Sequence, residues 1–403
     1  MNDWRETTLG DEIELAYGKS LPAHAREVGQ FGVFGSNGLV GAHIEACVKG
    51  PGIVIGRKGS VGAVTYSTDA FWPIDTTYFV INKGGHDWRF LFHLLRHIDL
   101  TGLNSHSAVP GLNREDVYSI SAKLPLRDEQ KNIASVLDCV ENSIRIERAA
   151  LENAQELKRA AMRELFTRGL RGEPQKDTEI GPVPESWDVV PLGSLGKIGN
   201  GSTPKKTVAA YWSGGTFPWL TSAKVYDREI EVADQFVTDV ALAECHLPRI
   251  QPGAVLMAIT GQGKTLGHCA VLRIEASISQ HIAYLQTNTE RAEPGFIRGF
   301  LETQYEHLRQ VASGGGSTKG ALTCAFLKSL PVPLPPTLDE QREIVTVLDA
   351  LDRKIGLHQQ KRAVLEELFQ SLLHKLMTGE IRVADLDLSA LSPASTQLEE
   401  ATA

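Results

Sequence analysis

The amino-acid sequence predicts a mixed α/β (α+β) protein in which two similar modules are joined by two long antiparallel helices. Three observations support this pseudo-two-fold repeat. The segment Asp128–Gln130 returns 211 residues later as Asp339–Gln341. The apolar residues that follow the first segment also return after 211 residues (Ile133, Val136, Leu137 and Ile144; Ile344, Val347, Leu348 and Ile355). Each of the two segments stands at the start of a long helical pattern. A long unit in two copies indicates two modules rather than a solenoid.

The repeat extends upstream of the helices with growing offsets. Trp4 matches Trp187 at a spacing of 183 residues, and Pro51–Val54 matches Pro252–Val255 at a spacing of 201. The second module has therefore gained about 28 residues, and such insertions usually lie in surface loops. We interpret the chain as a constant helical frame that carries two different recognition surfaces.

Residues 1–127 are predicted to form the first module. Short β-branched runs such as Gly52–Ile55 and Ala63–Tyr66 alternate with glycine-rich turns, which is typical of strands. The segment Trp88–Ile98 has the pattern of an amphipathic helix.

Residues 128–170 are predicted to form the first long helix, because apolar or small residues follow alternating steps of three and four. This coiled-coil seam is interrupted by Glu147, and the equivalent position of the second copy is His358. The second long helix is predicted at 337–380, starting with a Thr337-x-x-Glu340 capping box. We expect the two helices to pair with each other in the same chain. Packing of each helix on another protein is the alternative.

The structure of the remaining segments is predicted from their composition. Residues 171–186 are rich in glycine, proline and charged residues and are predicted to be a linker, and residues 187–336 are predicted to form the second module. Residues 381–403 are predicted to be a disordered acidic tail.

The formal net charge is −8, which by itself argues against binding to nucleic acid. Half of the excess comes from the tail, where residues 384–403 contain acidic residues and no lysine or arginine, so local clustering matters more than the total. No apolar run approaches the length of a membrane span, and the first residues do not resemble a signal peptide, so we expect a cytoplasmic protein. The cysteines are scattered without a Cys-x-x-Cys pair, which favours buried thiols over zinc ligands or disulfides (Cys47, Cys139, Cys245, Cys269 and Cys324).

The segment Ala258–Thr265 fits a loose Walker A pattern, with alanine at the first glycine position. A P-loop must open a helix, but the residues that follow, Leu266–Leu272, predict a strand. The first module has a matching hairpin at Gly52–Val64 without the pattern. We therefore predict, in both modules, a glycine-rich hairpin tip that suits phosphate and groove contacts, and we expect the glycines to make the second tip flexible. Nucleotide binding is the alternative.

Other loops rich in polar hydrogen-bond donors recur in both modules. Each loop alone is ordinary, but their repetition favours a recognition surface. The candidates in the first module are Ser36, Asn37, Arg57, Lys58, Ser60, Asn104 and His106. The candidates in the second module are Lys205, Lys206, Ser222, Lys224, Gln262, Lys264, Thr265 and Lys319.

The sequence lacks a convincing catalytic set. His93 and His97 share a helix face without the glutamate of a zinc protease, and His43-Ile-Glu45 lacks the cysteines of a deaminase. No Gly-x-Ser-x-Gly elbow and no Asn/Asp-Pro-Pro-aromatic methyltransferase motif is found. We expect no catalytic residue and no metal site, and a protein that positions another molecule.

These residues resemble the specificity subunits of type I restriction-modification systems over nearly the whole chain. The most specific part is the repeated proline-containing approach to a Glu-Gln helix start, at Leu124–Gln130 and Leu334–Gln341. Other segments look like the two target-recognition domains of such subunits: Phe34–Gly38, Pro51–Gly62 and Val109–Asn113 in the first, and Pro218–Leu220 and Ser279–Ala283 in the second.

The resemblance implies a non-catalytic reader of double-stranded DNA, in which each module reads half of a bipartite, asymmetric site. It further implies that the helices fix the gap and dock two methyltransferase subunits, which methylate adenine N6, together with restriction/translocase subunits. No cofactor is expected in this chain, and S-adenosylmethionine, ATP and Mg²⁺ are expected on the partner subunits. A helical interaction scaffold without sequence-specific DNA binding is the alternative from another class.

Overall fold

The computed structural model describes residues 4–103, 111–261, 263–314 and 320–387. The chain forms two compact units. Unit 1 comprises Met1–Ala149 and His358–Ala403, and unit 2 comprises Ala150–Leu357. Each unit therefore contains one mixed α/β module and one half of each long helix.

Unit 1 begins with a module of short strands. Its elements in chain order are β1 (Arg5–Thr8), α1 (Leu9–Glu12), β2 (Ile13–Tyr17), β3 (Phe31–Gly35), β4 (Gly38–His43), β5 (Gly52–Gly56), β6 (Val64–Ser67), β7 (Phe71–Pro73), β8 (Thr77–Asn82), α2 (Trp88–Ile98), α3 (Arg114–Tyr118) and β9 (Ser121–Leu124). The long helix α4 (Arg127–Arg168) follows and continues into unit 2.

Unit 2 contains β10 (Gln175–Thr178), β11 (Gly181–Pro184), β12 (Asp188–Pro191), β13 (Gly196–Asn200), β14 (Phe217–Leu220), β15 (Glu229–Ile230), β16 (Gln235–Val237), α5 (Asp239–Glu244), β17 (Ala254–Ala258), β18 (Cys269–Leu272), β19 (Ser277–Ile278), β20 (Ile282–Thr287), α6 (Pro294–Thr303), α7 (Tyr305–Gly314), α8 (Cys324–Ser329) and β21 (Pro331–Leu334). The second long helix, α9 (Leu338–Thr378), then returns the chain to unit 1.

The two modules share one sheet topology. The sheet β2-β8-β5-β6 of unit 1 corresponds to β13-β20-β17-β18 of unit 2, which adds β15 at its edge. The sheet β4-β3-β7 corresponds to β16-β14-β19, and each of these has one antiparallel and one parallel pair. The pairs β1-β9 and β12-β21 also correspond. The internal repeat predicted from the sequence is therefore confirmed at the level of strand order.

The long helices pair antiparallel, as predicted. In unit 1, Leu137 near the start of α4 shares a core with Leu373 and Leu376 near the end of α9. In unit 2, Phe166 near the end of α4 shares a core with Leu348 near the start of α9. Early residues of one helix thus meet late residues of the other in both units. The apolar stripe of each helix is covered by its counterpart in the same chain.

The two interruptions of the apolar seam meet each other in unit 1. His358 Nδ1 lies 2.7 Å from Glu147 Oε2, and Lys361 Nζ lies 2.6 Å from Glu147 Oε1. The Glu147 side chain is buried, and a buried carboxylate needs such partners. Hydrogen bonds from Lys361 and His358 hold the pKa of Glu147 below its usual range.

Two segments differ from the sequence prediction. The predicted linker 171–186 contains the antiparallel hairpin β10-β11, in which Val183 is buried. The first residues of the predicted acidic tail pack against the core of unit 1 through Ile381, Val383 and Leu386. Both segments contain apolar residues among polar ones, so their composition alone did not predict that they pack against the rest of the protein. Residues 388–403 lie outside the described part of the chain. No helix among the described residues is both long and apolar enough to cross a membrane.

Candidate nucleic-acid interface

The structure brings two predicted loops of unit 1 together. The turn between β3 and β4 carries Ser36 and Asn37, and the loop between β5 and β6 carries Arg57, Lys58 and Ser60. Between them lies a glycine at position 56, where an added Cβ would lie 2.0 Å from the carbonyl oxygen of Ser60 and 2.8 Å from that of Ser36. Only glycine permits this close approach of the two loops. Five of the predicted candidates therefore lie on adjacent loops.

Arg57 is held in place by its own backbone and by its surroundings. Its N–H donates to the carbonyl of Thr76 at 3.0 Å, and its carbonyl accepts from Leu112 N–H at 3.0 Å. The guanidinium donates to the carbonyl of Asp75 at 2.7 Å and lies over the ring of Tyr17, 5.3 Å from its centroid. In the described part of the chain, its Nε is buried and finds no acceptor. The side chain is half-buried in a fixed orientation, unlike that of the exposed Lys58.

Two residues near Arg57 were missed by the sequence analysis. Tyr17, at the end of β2, is 52% exposed, and the guanidinium of Arg114, at the start of α3, lies 5.0 Å from its ring centroid. Burial and a hydrogen bond with Tyr17 raise the pKa of Tyr78 to about 12, so Tyr78 stays neutral and donates to the carbonyl of Leu112. The sequence carried no signal for this group, because β2, β8 and α3 are far apart in the chain. The result is a cationic and aromatic surface of the kind that binds nucleic acid.

In unit 2, the Walker-like segment is a β-hairpin. Strands β17 and β18 pair antiparallel, and Gly267 N–H donates to the carbonyl of Ala258 at 2.9 Å. The residues that follow Thr265 lead into β18, not into a helix. A phosphate at this position would find no helix N-terminus. The structure thus agrees with the hairpin interpretation.

The tip of this hairpin is bonded through its main chain at Gly263 and Lys264, which its glycines did not indicate. Tyr305 Oη donates to the carbonyl of Lys264 at 2.7 Å, and Arg309 donates to the carbonyl of Gly263 at 2.7 Å. The hydroxyl of Thr265 lies 3.0 Å from that of Tyr226. Helix α7 supplies both main-chain braces, and it lies some 40 residues further along the chain, so no local pattern predicted them. The Lys264 side chain itself is exposed.

The other candidates of unit 2 lie in different surroundings. Lys205 and Lys206 are exposed on the loop between β13 and β14. Ser222 opens a short 3-10 helix that also contains Lys224. The Lys224 ammonium is paired with Asp227, which raises its pKa and already satisfies its charge. Asn104, His106, Gln262 and Lys319 lie outside the described residues.

The histidines of the two sequence motifs have structural partners. His93 is fully buried, and its Nε2 lies 2.7 Å from Asp138 Oδ1. Although His93, Asp138 and Glu141 are close enough to hold a metal ion, Arg89 donates to both carboxylates. The group is therefore built as an ion-pair network. His43 Nδ1 accepts from the backbone N–H at position 27, at 3.0 Å.

The repeated Glu-Gln pair connects each module to its long helix. In unit 1, the buried side chain of Gln130 accepts from the N–H of Asp87, the N-cap of α2, at 3.1 Å. It donates to the carbonyl of Pro125 at 3.0 Å and lies 3.1 Å from His86 Nδ1. Gln130 therefore joins the start of α4 to the start of α2.

In unit 2, Gln341 occupies the same position. It accepts from the N–H of Glu293, the N-cap of α6, at 2.8 Å, and donates to the carbonyls of Arg291 and Pro335 at 3.2 and 3.4 Å.

The preceding glutamates also correspond. Trp4 Nε1 donates to Glu129 at 3.2 Å, and Trp187 Nε1 donates to Glu340 at 3.3 Å. The predicted capping box is therefore only half formed. Thr337 accepts from the N–H of Glu340 at 3.3 Å, but the Glu340 carboxylate receives the indole. Both modules are thus attached to the helices by the same two contacts.

Comparison with known proteins agrees with this architecture. A family model described as "Type I restriction modification DNA specificity domain" matches residues 1–156 and again residues 184–367. The putative type I restriction enzyme MjaX specificity subunit of Methanocaldococcus jannaschii is 26% identical over 313 residues, which is 75% of this chain and 70% of that protein.

Two solved structures share the fold. The S subunit of a type I restriction-modification system from M. genitalium superposes with a TM-score of 0.65 at 15% identity, over 93% of this chain and 96% of its own. A chain solved in work on complex assembly and conformational transition of the type I R-M system gives a TM-score of 0.57 at 19% identity, over 94% of this chain and 98% of its own.

Proposed function

Because the chain belongs to the type I restriction-modification DNA specificity family, we propose that it is the non-catalytic subunit that selects the DNA sequence for such a complex. Each unit reads one half of a bipartite, asymmetric site in double-stranded DNA. The long helices determine the number of unread base pairs between the two halves.

One observation carries this proposal: two units with one strand order present different loops at corresponding places. The loop between β5 and β6 offers Arg57 and Lys58, and the longer loop between β17 and β18 offers Lys264. Base edges in the major groove have a distinct pattern of donors and acceptors for each base pair, so different side chains on equivalent loops select different sequences. Exposed lysines contribute phosphate contacts, which position a protein without reading sequence.

The outer faces of the helices support docking of two copies of one partner. Unit 1 exposes Ile146 and Leu368, and unit 2 exposes Leu157 and Leu357. The exposed fractions are 54%, 37%, 52% and 67% respectively. Ile146 is equivalent to Leu357, and Leu157 to Leu368, at the repeat spacing of 211 residues. Equivalent apolar residues on both units would give two methyltransferase subunits matching contacts.

Under this proposal, catalysis and cofactors belong to the partners. S-adenosylmethionine would be bound by the methyltransferase subunits, and ATP and Mg²⁺ by restriction/translocase subunits. The residues of this chain position the complex on DNA.

The test combines the purified chain, a cognate methyltransferase subunit, S-adenosylmethionine and a library of randomised duplexes. We expect N6-methyladenine within one split sequence, and no methylation by the chain alone. Methylation by the isolated chain, or methylation by the complex without sequence preference, would contradict the proposal. Strong partner binding without sequence preference would favour the scaffold interpretation instead.

A further inference from the structure

The apolar seam between α4 and α9 does not by itself distinguish one helix from the other. Ile133, Leu137 and Ile144 of α4 have apolar counterparts at the same repeat positions of α9. An α4 helix could therefore bury its stripe against the α4 of a second copy of the chain. The charged residues of the seam break this equivalence.

Four contacts between the helices pair an acidic residue with a basic one. Glu147 meets His358 and Lys361 at 2.7 and 2.6 Å, and Arg148 lies 3.8 Å from Glu366; all are in unit 1. In unit 2, Lys158 Nζ lies 2.9 Å from Asp352, and the Lys158 side chain is only 12% exposed. Each partner can be compared with its repeat counterpart 211 residues away.

Two α4 helices in the same register would lose most of these contacts. Glu147 would face a second Glu147, and Arg148 would face Gln155, the counterpart of its present partner. Only Lys158 would keep an acidic partner, because Glu141 is the counterpart of Asp352. Two buried carboxylates in contact repel strongly in a poorly solvated seam.

Pairing of two α9 helices would also remove acid–base contacts between the helices. His358 would face a second His358, with Lys361 beside it. Glu366 would face Gln359, and Asp352 would face Phe369, so both acidic residues would lose their cationic partners on the facing helix. They would keep Arg362 and Arg228, respectively. Neither pairing of like helices retains the charge complementarity of the observed pair.

We propose that this charge pattern is an interface code that selects pairing of α4 with α9 and opposes pairing of like helices from separate chains. Polar residues within a coiled-coil seam are known to fix which helices pair, at some cost in stability. The consequence here is that α4 pairs with α9 of the same chain and not with the α4 of a second copy. The inference concerns assembly and does not depend on DNA binding.

The first test is a charge exchange within the full chain. Glu147→His places two imidazoles in contact and His358→Glu places two carboxylates in contact, whereas the double variant E147H/H358E restores one carboxylate and one imidazole. We expect each single variant to raise the unfolding equilibrium constant. The constant of the double variant should lie about tenfold below the value expected from the product of the two single effects. Glu152→His, the same change at an exposed position of α4, serves as the control and should match the wild type. A double variant no better than that product would overturn the proposal.

The second test examines partner choice directly. Two differently tagged chains are co-expressed, one with Glu147→His and the other with His358→Glu, so that a carboxylate at position 147 or 358 meets an imidazole at these positions only between chains. We expect co-purification to rise about tenfold over a pair of wild-type chains. If a single variant does not fold, the neutral E147Q/H358Q chain replaces both, and we expect its two tagged forms to co-purify more than wild-type chains do. Co-purification no greater than that of the wild type would overturn the proposal.

Discussion

The hydrogen bonds of the Gln341 side chain allow an isosteric test of how the module of unit 2 is attached to helix α9. Gln341→Glu preserves shape and still accepts the N–H of Glu293, but it removes the amide that donates to the carbonyls of Arg291 and Pro335. An oxygen would then face two carbonyl oxygens at a position that is only 1% exposed. Above the folded-state pKa of the new carboxyl that oxygen carries negative charge, and below it the protonated carboxyl could donate to only one of the two carbonyls.

The magnitude follows from the burial of a charge without a partner, which costs about 3–5 kcal/mol. The unfavourable surroundings raise the pKa of the new carboxyl above its value in the unfolded chain. The penalty is therefore complete above the folded-state pKa and disappears as the pH falls through it towards about 4.3, the ordinary glutamate value. Urea unfolding at neutral and acidic pH measures both effects, and amide hydrogen exchange should place the loss at the starts of α6 and α9.

The internal repeat supplies a matched variant. Gln130→Glu makes the same change in unit 1, but His86 Nδ1 lies 3.1 Å from the side-chain amide. The amide of Gln130 donates to the carbonyl of Pro125, so the new oxygen would face one carbonyl oxygen, where Gln341→Glu would face two. We expect a smaller loss for Gln130→Glu than for Gln341→Glu, and none for the exposed control Gln360→Glu. A Gln341→Glu chain as stable as the control at neutral pH would refute the reasoning.

Four further predictions concern the helices and the loops. Inserting about one helical turn after both Ala154 and Leu365 adds about 5.4 Å, against about 3.4 Å per base pair, so methylome sequencing should show a gap longer by one or two base pairs with unchanged half-sites. Lys264→Ala should weaken binding about equally for all duplexes and reduce the slope of log affinity against log salt by about one, in titrations at several salt concentrations. Arg57→Ala should instead relax selection at one base position, by about 1–3 kcal/mol, in a randomised-duplex selection. Glu147→Gln should flatten the loss of thermal stability on acidification, because the basic partners of Glu147 lower its folded-state pKa and their stabilisation is lost as the pH falls below the ordinary value of 4.5.

The sequence predicted the frame well because the frame is periodic and local. The long helices were expected at 128–170 and 337–380 and are observed at Arg127–Arg168 and Leu338–Thr378. The observed α2 has the expected bounds, Trp88–Ile98. The periodicity of the apolar residues shows which face of each helix packs against a partner, and the repeat indicated that this partner is the other long helix.

The contacts that join the modules to the frame could not be predicted in the same way. Glu340 and Gln341 look like ordinary polar residues in the first turn of a helix, yet they are 2% and 1% exposed. Their partners Trp187 and Glu293 are 153 and 48 residues away. Such burial depends on tertiary structure, and polar residue types at helix starts normally indicate capping and solvent.

The sequence also could not predict how the side chains of the candidate nucleic-acid interface are held. Residue type and position made both Arg57 and Lys58 candidates for DNA contacts, but only the structure shows that their side chains lie in different surroundings. Arg57 is held by Asp75 and Tyr17, whereas Lys58 is exposed. An oriented guanidinium suits base reading and a free ammonium suits phosphate. The assignment of these loops to DNA remains a prediction, and the variants above test each role.

The repeat itself separates the residues of the frame from those that can vary. Glutamine at the helix start and tryptophan beside its glutamate make the same contacts in both units. Asp138 and Asp349 are equivalent in sequence, yet Asp138 binds Arg89 of helix α2, while Asp349 binds Arg228, which follows a 3-10 helix of the second module. One frame position thus accepts partners from different elements of the attached module. Since the added residues of unit 2 lie outside the shared strand order, the loops can change in length and charge while the contacts to the helices stay fixed.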